Sequence, residues 1–444
     1  MAREFFGTDG IRGRVGEPPM TAEFVLRLAS AAARVLAPSG GRVVIGKDTR
    51  VSGYMLESAL EAGFVAAGMD VHLLGPLPTP GIAFMTKELG ADVGVVISAS
   101  HNPYHDNGIK FFDAEGRKLP DSVEEDIERY LGEPAITRDS SSLGHAKRID
   151  SAREDYQRFC LSTVPDEFRL DKLKIVLDCA HGAGYKVAPR VMTELGAEII
   201  PIGCSPNGKN INDGCGTTHP ELMIMTVKAI GADVGIAFDG DGDRVLMVDG
   251  DGNLIDGDQL LYVLAHARQQ AGTLVGPVVG TLMSNLGLER ALGQLGIEFR
   301  RARVGDRYVI AMLNELGGQL GGEASGHLLC LDKTTTGDGL INALQVLVVM
   351  IESGRTLAEL TAGMPQLPQT LINVRTQSRV SVDDSPEIQS AIAQAQQRIA
   401  DRGRILVRAS GTEPVLRIMV EGEDETEVRQ LATELAGEIE RIAA

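Results

Sequence analysis

The sequence predicts an α/β fold of three tandem, repeated α/β domains with mixed, largely parallel sheets, followed by a C-terminal α+β domain, all around a central cleft. First, short apolar runs alternate with helix-like stretches at the spacing of βαβ units over most of the chain. Second, the lead Gly-Ala-Asp-Val-Gly occurs at 90–94 and again at 231–235, each time before a short apolar run. Third, the last part of the chain departs from this pattern.

Each predicted repeat contains three strand-like runs. The first strands lie at 42–46, 174–178 and 277–280. The second strands, each led by a glycine that ends a helix-like stretch, lie at 68–74, 196–200 and 296–299. The third strands lie at 90–97, 231–238 and, as the weakest copy, within 318–327. The predicted domains are 1–153, with the Ser-rich stretch 139–142 near its end, then 154–254 and 255–366.

The C-terminal domain is predicted at 367–444, after a linker that contains Pro365 and Pro368. Its strand-like runs lie at 371–374, 405–407 and 416–420, and an amphipathic helix is predicted from 423 to 444. Strands without crossover helices favour an antiparallel sheet, so this domain is predicted to be of the α+β type.

The composition indicates a globular protein and argues against nucleic-acid binding. The 444 residues are 43% apolar and 23% charged, with a formal net charge of −18, so there is no basic excess for neutralising nucleic-acid phosphates. Neither a signal peptide nor a bilayer-spanning segment is predicted, and five cysteines without a CxxC pair are typical of reduced thiols. We therefore expect a cytoplasmic protein, a monomer or homodimer, with no nucleic-acid or membrane partner.

Three aspartates follow the second Gly-Ala-Asp-Val-Gly strand, at Asp239, Asp241 and Asp243. Acids at alternate positions of an extended loop can point the same way, and an all-oxygen ligand set selects a hard cation such as Mg²⁺. An EF-hand is excluded, because Arg244 stands where its glycine belongs and Gly250 where its glutamate belongs. The alternative is a polar hairpin turn. Uncompensated carboxylates would repel one another, which favours the metal site.

The first Gly-Ala-Asp-Val-Gly strand leads instead into Ser98-Ala99-Ser100-His101-Asn102-Pro103. A hydroxyl beside a histidine could be a nucleophile, although a serine after a strand is also a common turn residue. His101 and His105 are a poor metal pair because Pro103 between them disfavours a helix. The residues alone do not decide between Ser98 and Ser100.

Two further loops and two isolated cations complete the candidate site. Glu323 and Ser325 suit sugar hydroxyls, and His327 beside them could move a proton, although a helix-entry turn is the alternative. A C-terminal loop of cations, hydroxyls and glycine predicts a phosphate cradle: Arg408, Ser410, Gly411, Thr412 and Arg417. Arg12, in a glycine-rich turn, and Lys110 could balance a phosphoryl group. Because ligands of parallel α/β sheets collect at the carboxyl ends of strands, the loops are expected to share one cleft.

Taken together, these loops resemble, in composition and order, the α-D-phosphohexomutase family over the whole chain. Within it the sequence is most similar to the branch that acts on glucosamine phosphates. Three runs carry that similarity: Phe6-Gly7-Thr8-Asp9-Gly10-Ile11-Arg12-Gly13, Val304-Gly305-Asp306-Arg307-Tyr308-Val309 and Thr335-Thr336-Gly337-Asp338-Gly339. Ala324, in the sugar loop, stands at a position that varies among relatives.

The resemblance implies that Ser100 is a phosphoserine and Ser98 its structural neighbour. It implies one Mg²⁺ held by Ser100, Asp239, Asp241 and Asp243. Glucosamine 6-phosphate would become glucosamine 1-phosphate through a hexose 1,6-bisphosphate, on the route to UDP-N-acetylglucosamine and cell-wall precursors. Catalytic roles would fall to the following side chains beside Ser100: Arg12, His101, Lys110, Arg244 and His327.

Within this scheme Lys110 or His327 would carry the proton, and the C-terminal loop would grip the phosphate that is not transferred. A phosphomannomutase or phosphoglucomutase on the same scaffold is the nearest alternative. A noncatalytic sugar-phosphate-binding protein and a Mg²⁺-dependent phosphatase are the alternatives from other classes.

Overall fold

The computed structural model describes residues 4–376, 382, 384–409 and 415–443. Over these residues the strands form sheets of six, five, four and three strands, in chain order. The first three sheets are mixed and mostly parallel, and the last is antiparallel. The predicted fold class is confirmed.

The first sheet has the order β1-β5-β4-β2-β3-β6, with β2, β3, β4 and β6 parallel. Its helices and strands are β1 (Ile11–Arg14), α1 (Ala22–Leu36), β2 (Gly41–Lys47), α2 (Gly53–Ala66), β3 (Met69–Pro76), α3 (Thr79–Glu88), β4 (Val93–Ile97), β5 (Asp106–Phe112), α4 (Asp121–Leu131) and β6 (Ala146–Arg148). The Oγ1 of Thr21 caps α1 by accepting the Phe24 N–H at 3.3 Å. All five residues of β4 are buried, as an unbroken apolar run predicts.

The second sheet has the order β11-β10-β9-β7-β8. Its elements are α5 (Ala152–Ser162), β7 (Lys174–Asp178), α6 (Val187–Glu194), β8 (Glu198–Ile202), α7 (Glu221–Ile230), β9 (Val234–Phe238), β10 (Val245–Asp249) and β11 (Leu254–Ile255). Gly231, whose φ is +60°, ends α7 in the left-handed conformation that glycine tolerates. The repeated lead thus places a left-handed glycine at the end of a helix, ahead of a buried strand.

The third sheet has the order β13-β12-β14-β15. Its elements are α8 (Gly257–Gln270), β12 (Val278–Thr281), α9 (Leu286–Gln294), β13 (Phe299–Ala302), α10 (Asp306–Leu316), β14 (Leu320–Gly322), β15 (Leu328–Cys330), α11 (Gly339–Ser353) and α12 (Leu357–Thr361). A capping box between Asp256 and Gln259 starts α8.

The three units share one topology. In each, the central strand (β2, β7 or β12) has the second strand on one side and the third strand on the other, both parallel to it. The third strand then turns back into an antiparallel partner, at β4–β5, β9–β10 and β14–β15. The predicted serine, aspartate and sugar loops are these three turns. The third repeat, whose sequence is the weakest copy, therefore has the same topology as the other two.

The fourth unit has the strand order β16-β18-β17. Its elements are β16 (Gln369–Arg375), α13 (Pro386–Ile399), β17 (Gly403–Ala409), β18 (Val415–Gly422) and α14 (Glu425–Ala443). Helix α14 begins two residues later than predicted, because the Asp424 carboxylate accepts the Glu427 N–H at 2.8 Å and so acts as an N-cap. Helix α13, which Ser385 caps and Pro386 starts, was not predicted from the sequence.

One apolar core joins the first three units, running from Val44 through Leu177 to Leu344. Inside it the Tyr156 hydroxyl donates to Asp338 Oδ2 at 2.8 Å. The fourth unit has its own core and meets the third through Arg404, which donates to the Leu282 carbonyl at 2.8 Å. No helix among the described residues combines the length and apolarity needed to cross a membrane. The shared core fixes the three loops relative to one another.

Candidate active site

The loops of the first three units meet around a cavity of about 420 Å³. Between the first and second units, Ser100 Oγ donates to Asp239 Oδ2 at 2.5 Å. Between the second and third, His327 Nδ1 lies 3.6 Å from Asp243 Oδ1. Among the described residues, the lining comes from these three units and includes the following predicted site residues: Arg12, His101, Asp243, Arg244, Glu323 and His327.

The two serines of the first loop have different surroundings. Ser98 Oγ donates to Asp48 Oδ2 at 2.6 Å and accepts the Ser100 backbone N–H at 2.9 Å, so both its hydrogen-bonding roles support the loop. Ser100 has a φ of +50°, which is uncommon for a residue with a Cβ, and its hydroxyl faces the aspartate loop. This geometry favours Ser100 as the reactive serine.

Buried polar groups hold the serine loop from beneath. Arg50 is fully buried; its Nε pairs with Asp48 Oδ2 at 2.8 Å and its Nη2 donates to the Ser100 and Asn102 carbonyls at 2.9 and 2.8 Å. Asn212, from the second unit, also donates to the Ser100 carbonyl, at 2.9 Å. These contacts stabilise the unusual Ser100 backbone.

The three aspartates form a buried carboxylate group, with one oxygen of each within 4.8 Å of the others. Burial and then the charges of Asp243 and Asp241 raise the pKa of Asp239 well above its usual range. Burial also opposes the charge of Asp243, but Lys110 and His327 overcome it and lower that pKa. Asp241 Oδ1 and Asp243 Oδ1 are buried without a hydrogen-bond partner in the described part of the chain. Crowded, partly unsatisfied carboxylates fit a divalent cation.

Lys110 lies among three carboxylates. Its Nζ is 2.8 Å from Asp9 Oδ2, 3.0 Å from Asp241 Oδ2 and 3.6 Å from Asp243 Oδ2. Burial lowers its pKa, but these charges outweigh burial and raise the pKa above the ordinary value for lysine. Lys110 is thus held as a cation next to the aspartate group.

A second lysine connects the first unit to the third. Lys118 Nζ lies 2.6 Å from Asp9 Oδ1 and 2.5 Å from Asp306 Oδ2, and Asp306 Oδ2 lies 3.3 Å from His327 Nε2. Although burial disfavours the charged imidazole, Asp243 and Asp306 on its two sides raise the pKa of His327 to about 10. His327, one of the two predicted proton carriers, is thus enclosed between two carboxylates.

The other predicted catalytic residues surround the serine. His101 Nδ1 lies 3.3 Å from Ser100 Oγ, and burial, Arg244 and Arg12 lower the pKa of His101 to about 4. The Arg12 guanidinium forms an ion pair with Asp9. The Arg244 N–H donates to Asp239 Oδ1 at 3.2 Å, and its Nε lies 3.9 Å from Asp243 Oδ1.

The sugar loop is fixed by Glu323, whose Oε1 accepts the Gly305 N–H at 2.9 Å. Glu323 and His327 line the cavity, whereas Ser325 is exposed to solvent. Close approach explains Gly326: a Cβ there would lie 2.2 Å from the Val245 carbonyl oxygen. The structure therefore brings two of the three predicted sugar-loop residues to the cavity.

Two of the predicted phosphate-cradle residues, Arg408 and Arg417, lie directly opposite each other on β17 and β18. Burial and then Arg417 lower the pKa of Arg408, because like charges across strands repel. Ser410, Gly411 and Thr412 lie outside the described residues. The paired arginines suit an anion but do not belong to the cavity lining.

Sequence reasoning missed several residues of the site. Asp9 and Asp306 lie within two of the runs that carry the family resemblance, but no spacing rule links either residue to Lys118. Asp48 and Arg50 follow β2 and could have been found only by asking which polar residues end the central strand, as the binding-site rule for α/β sheets suggests. No sequence pattern pointed to Asn212.

Family models match most of the chain. They are described as phosphoglucomutase/phosphomannomutase alpha/beta/alpha domain I over residues 3–135, domain II over 154–252, domain III over 256–367 and the C-terminal domain over 371–438. Among curated relatives, the phosphoglucosamine mutase of Methylococcus capsulatus is 57% identical over 443 residues, 99% of each chain. That of Alkalilimnicola ehrlichii is 57% identical over 440 residues, 99% of this chain and 98% of the relative.

Solved structures agree in fold. A phosphoglucomutase/phosphomannomutase family protein from Burkholderia thailandensis superposes with a TM-score of 0.81 at 26% identity, covering 98% of this chain and 97% of the other. The Aspergillus fumigatus N-acetylphosphoglucosamine mutase, solved with GlcNAc-6P and magnesium, gives a TM-score of 0.70 at 18% identity, covering 99% of this chain and 96% of the other. The second likeness concerns the fold alone.

Proposed function

The chain belongs to the phosphoglucomutase/phosphomannomutase family, and we propose that it interconverts glucosamine 6-phosphate and glucosamine 1-phosphate. It is an isomerase of the phosphohexomutase type, and its substrates are small sugar phosphates. The observation that carries the proposal is the 2.5 Å contact between Ser100 Oγ and Asp239 at the edge of a buried carboxylate group. The full-length relatives that are phosphoglucosamine mutases favour the amino sugar as substrate.

The reaction begins with a phosphoryl group on Ser100 Oγ. The C1 hydroxyl of glucosamine 6-phosphate attacks phosphorus, the bond from phosphorus to Ser100 Oγ breaks, and a 1,6-bisphosphate forms. After this intermediate turns over, Ser100 Oγ attacks the phosphorus on C6, and the bond from that phosphorus to the C6 oxygen breaks. Glucosamine 1-phosphate leaves, and Ser100 is phosphorylated again. Phosphoryl transfer needs mainly positioning and charge stabilisation, which the buried cations and carboxylates supply.

The aspartate group supports a divalent metal, and we assign it to one Mg²⁺ per chain. Asp239, Asp241 and Asp243 would hold it together with the Ser100 phosphoryl group, since all-oxygen ligand sets suit hard cations. When bound, the ion would neutralise charge on the group being transferred. Lys110 and Arg244 lie beside the same carboxylates, and Lys110 Nζ orients Asp241 by contacting its Oδ2 at 3.0 Å.

Protons and the second phosphate are assigned to the remaining residues. Proton transfer is assigned to Lys110 or His327, which lie 3.6 Å from Asp243 Oδ2 and Oδ1 respectively. Both are held protonated, so either would act first as the acid that donates to the departing oxygen. His101 and Arg12 contact the transferring group from the first unit. Glu323, at the cavity, and Ser325, exposed beside it, are proposed to bind sugar hydroxyls. The C-terminal loop, with Arg408, Ser410, Gly411, Thr412 and Arg417, grips the phosphate that stays.

We also propose that a hexose 1,6-bisphosphate primes or reactivates the enzyme by phosphorylating Ser100. The protein is proposed to work in the cytoplasm as a monomer or homodimer, without nucleic acid. All five cysteines are free thiols, which is consistent with a reducing compartment. The four units with their boundaries near 153, 254 and 366 remain the proposed domain division.

Side-by-side turnover of glucosamine, mannose and glucose phosphates tests the assignment. We expect glucosamine 1-phosphate to be used with kcat/KM at least about tenfold above the neutral sugars, a difference of about 1.4 kcal/mol. A reversed preference would favour the phosphomannomutase or phosphoglucomutase alternative. Net release of inorganic phosphate would instead identify a phosphatase.

A further inference from the structure

Cys179 and Cys204 lie next to each other at the ends of two parallel strands. Strands β7 and β8 pair with Asp178 opposite Ile202, so Cys179 follows one strand directly and Cys204 follows the other by two residues. The Ile202 carbonyl oxygen accepts both the Cys179 backbone N–H at 3.1 Å and the Cys204 thiol at 3.2 Å. A single acceptor therefore holds the two cysteines together.

The two thiols are unequal. Cys179 is fully buried, whereas Cys204 is partly accessible. The Cys179 thiol shares a hydrogen bond with the Cys204 sulfur, which lowers the pKa of Cys204, although burial opposes this, and raises the pKa of Cys179. An accessible thiol whose pKa is lowered, next to a second thiol, is the arrangement of a reversible redox pair.

The turn that follows Cys179 is strained. Ala180 and His181 both have positive φ, +53° and +49°, although neither is glycine. The His181 N–H donates to the Gly203 carbonyl at 2.6 Å, and the His181 carbonyl accepts the Thr49 hydroxyl at 2.6 Å. Such a turn persists only while its neighbours hold it in place.

This turn is linked to both loops of the candidate active site. The Ala180 carbonyl accepts the Asn212 N–H at 2.9 Å, and the Asn212 side chain in turn holds the Ser100 carbonyl. The Ala183 N–H donates to the Gly240 carbonyl, between Asp239 and Asp241, at 2.8 Å. A displacement at Cys179 therefore reaches the serine loop and the aspartate loop through one further residue each.

We propose that Cys179 and Cys204 form a peroxide-sensitive pair whose disulfide lowers the activity of the enzyme. The Cys204 thiolate attacks one oxygen of hydrogen peroxide, breaks the O–O bond and becomes a sulfenic acid, with hydroxide leaving. The Cys179 sulfur then displaces the sulfenic oxygen as water, and the S–S bond forms. A disulfide demands its own S–S distance and torsion, so it replaces the thiol hydrogen bond and shifts the turn.

Peptide mapping of the full chain after hydrogen peroxide treatment and alkylation tests the site. We expect a bond between Cys179 and Cys204, reversed by dithiothreitol, in wild type and in the control Cys330→Ser, whose thiol is buried in the third sheet. Cys179→Ser and Cys204→Ser should not form it. Oxidation confined to other sites, or a bond from Cys215 to either cysteine instead, would overturn the assignment.

Turnover measured on the same samples tests the consequence. We expect oxidised wild type and Cys330→Ser to lose at least about tenfold in kcat, since a displacement of about 1 Å at an active site can cost roughly a hundredfold. Dithiothreitol should restore it, and Cys204→Ser should keep its activity through the treatment. A mapped disulfide with unchanged turnover would overturn the proposal. If the enzyme shows no turnover before oxidation, that result counts against the proposed function. The mapped disulfide between Cys179 and Cys204 then tests the cysteine pair by itself.

Discussion

Lys118 Nζ lies 2.5 Å from Asp306 Oδ2 and thereby joins the first unit to the third at the edge of the cavity. The same carboxylate oxygen lies 3.3 Å from His327 Nε2. Asp306 is buried and the Lys118 side chain is only 12% exposed, so their attraction is weakly screened, and removing one partner leaves an uncompensated charge. The position of His327 thus depends on a contact between units that are far apart in sequence.

Lys118→Met is expected to lower kcat by roughly tenfold to a hundredfold through displacement of Asp306 and His327. Lys118→Arg, which keeps the charge, should recover much of the loss, although its planar head does not match the ammonium geometry. General destabilisation would lower the amount of folded enzyme and leave KM unchanged. Steady-state kinetics on a known amount of folded enzyme therefore distinguish it from the expected loss in kcat. Arg129→Met, which removes an exposed cation of α4, is the control; an equal loss there would contradict the prediction.

Ser100→Ala should abolish turnover, by a factor on the order of 10³ or more, because it removes the covalent carrier of the phosphoryl group. Ser98→Ala removes a hydrogen bond to Asp48 and an acceptor for the Ser100 N–H, so we expect a partial loss, about tenfold. Intact mass followed by phosphopeptide mapping checks both. Phosphate on Ser98 in the Ser100→Ala variant would reverse the assignment.

Metal removal should destabilise the protein, because a ligand that binds only the folded state adds to its stability. Saturating Mg²⁺ at about a hundred times its Kd is expected to add about 2.7 kcal/mol to the free energy of unfolding. Asp241→Asn should lose most of this increment, and chelator should have little effect on its Tm. Asp249→Asn, in the neighbouring hairpin turn, is the matched control and should keep the response to Mg²⁺.

Arg417→Gln should raise KM more than it lowers kcat, because the residue is proposed to bind the phosphate that does not react. Arg408 lies opposite Arg417 on the neighbouring strand, so removing one of two repelling cations should also raise the free energy of unfolding slightly, by a few tenths of a kcal/mol. Kinetics and denaturant unfolding of the same variant measure the two effects. An unchanged KM would contradict the phosphate assignment.

Local signals predicted much of this architecture. Glycine-led apolar runs predicted the strands. The loops after the third strands predicted the serine loop, the aspartates and His327, since side chains that end parallel strands meet at one edge. Only the family resemblance separated Ser100 from Ser98. Lys118 and Asn212 could not be found in this way, because their importance comes from partners in distant segments, Asp306 and the Ser100 carbonyl respectively. The boundary of α14 depended on a single cap, Asp424, which periodicity does not reveal.

The stability of the protein should depend on pH through Asp338, which caps α11. Its Oδ1 accepts the Ile341 N–H at 2.9 Å and its Oδ2 accepts the Tyr156 hydroxyl at 2.8 Å, yet burial outweighs both bonds and raises its pKa to about 6. Asp243 adds to this rise, and the thiols of Cys160 and Cys330 are neutral neighbours whose own pKa values burial raises.

The folded carboxyl therefore binds its proton more tightly than the unfolded one, whose pKa is about 3.9. The stabilisation that protonated Asp338 gives to the folded state is therefore fully present below pH 4 and is lost as the pH rises through about 6. The loss is on the order of 3 kcal/mol in the free energy of unfolding. Asp338→Asn keeps an acceptor for Ile341 and an N-cap residue but has no proton to lose, so its stability should fall less between pH 4 and pH 7. Urea unfolding at several pH values, with chelator present to keep the aspartate group metal-free, measures this difference. Identical slopes for wild type and Asp338→Asn would show that the pH dependence arises elsewhere.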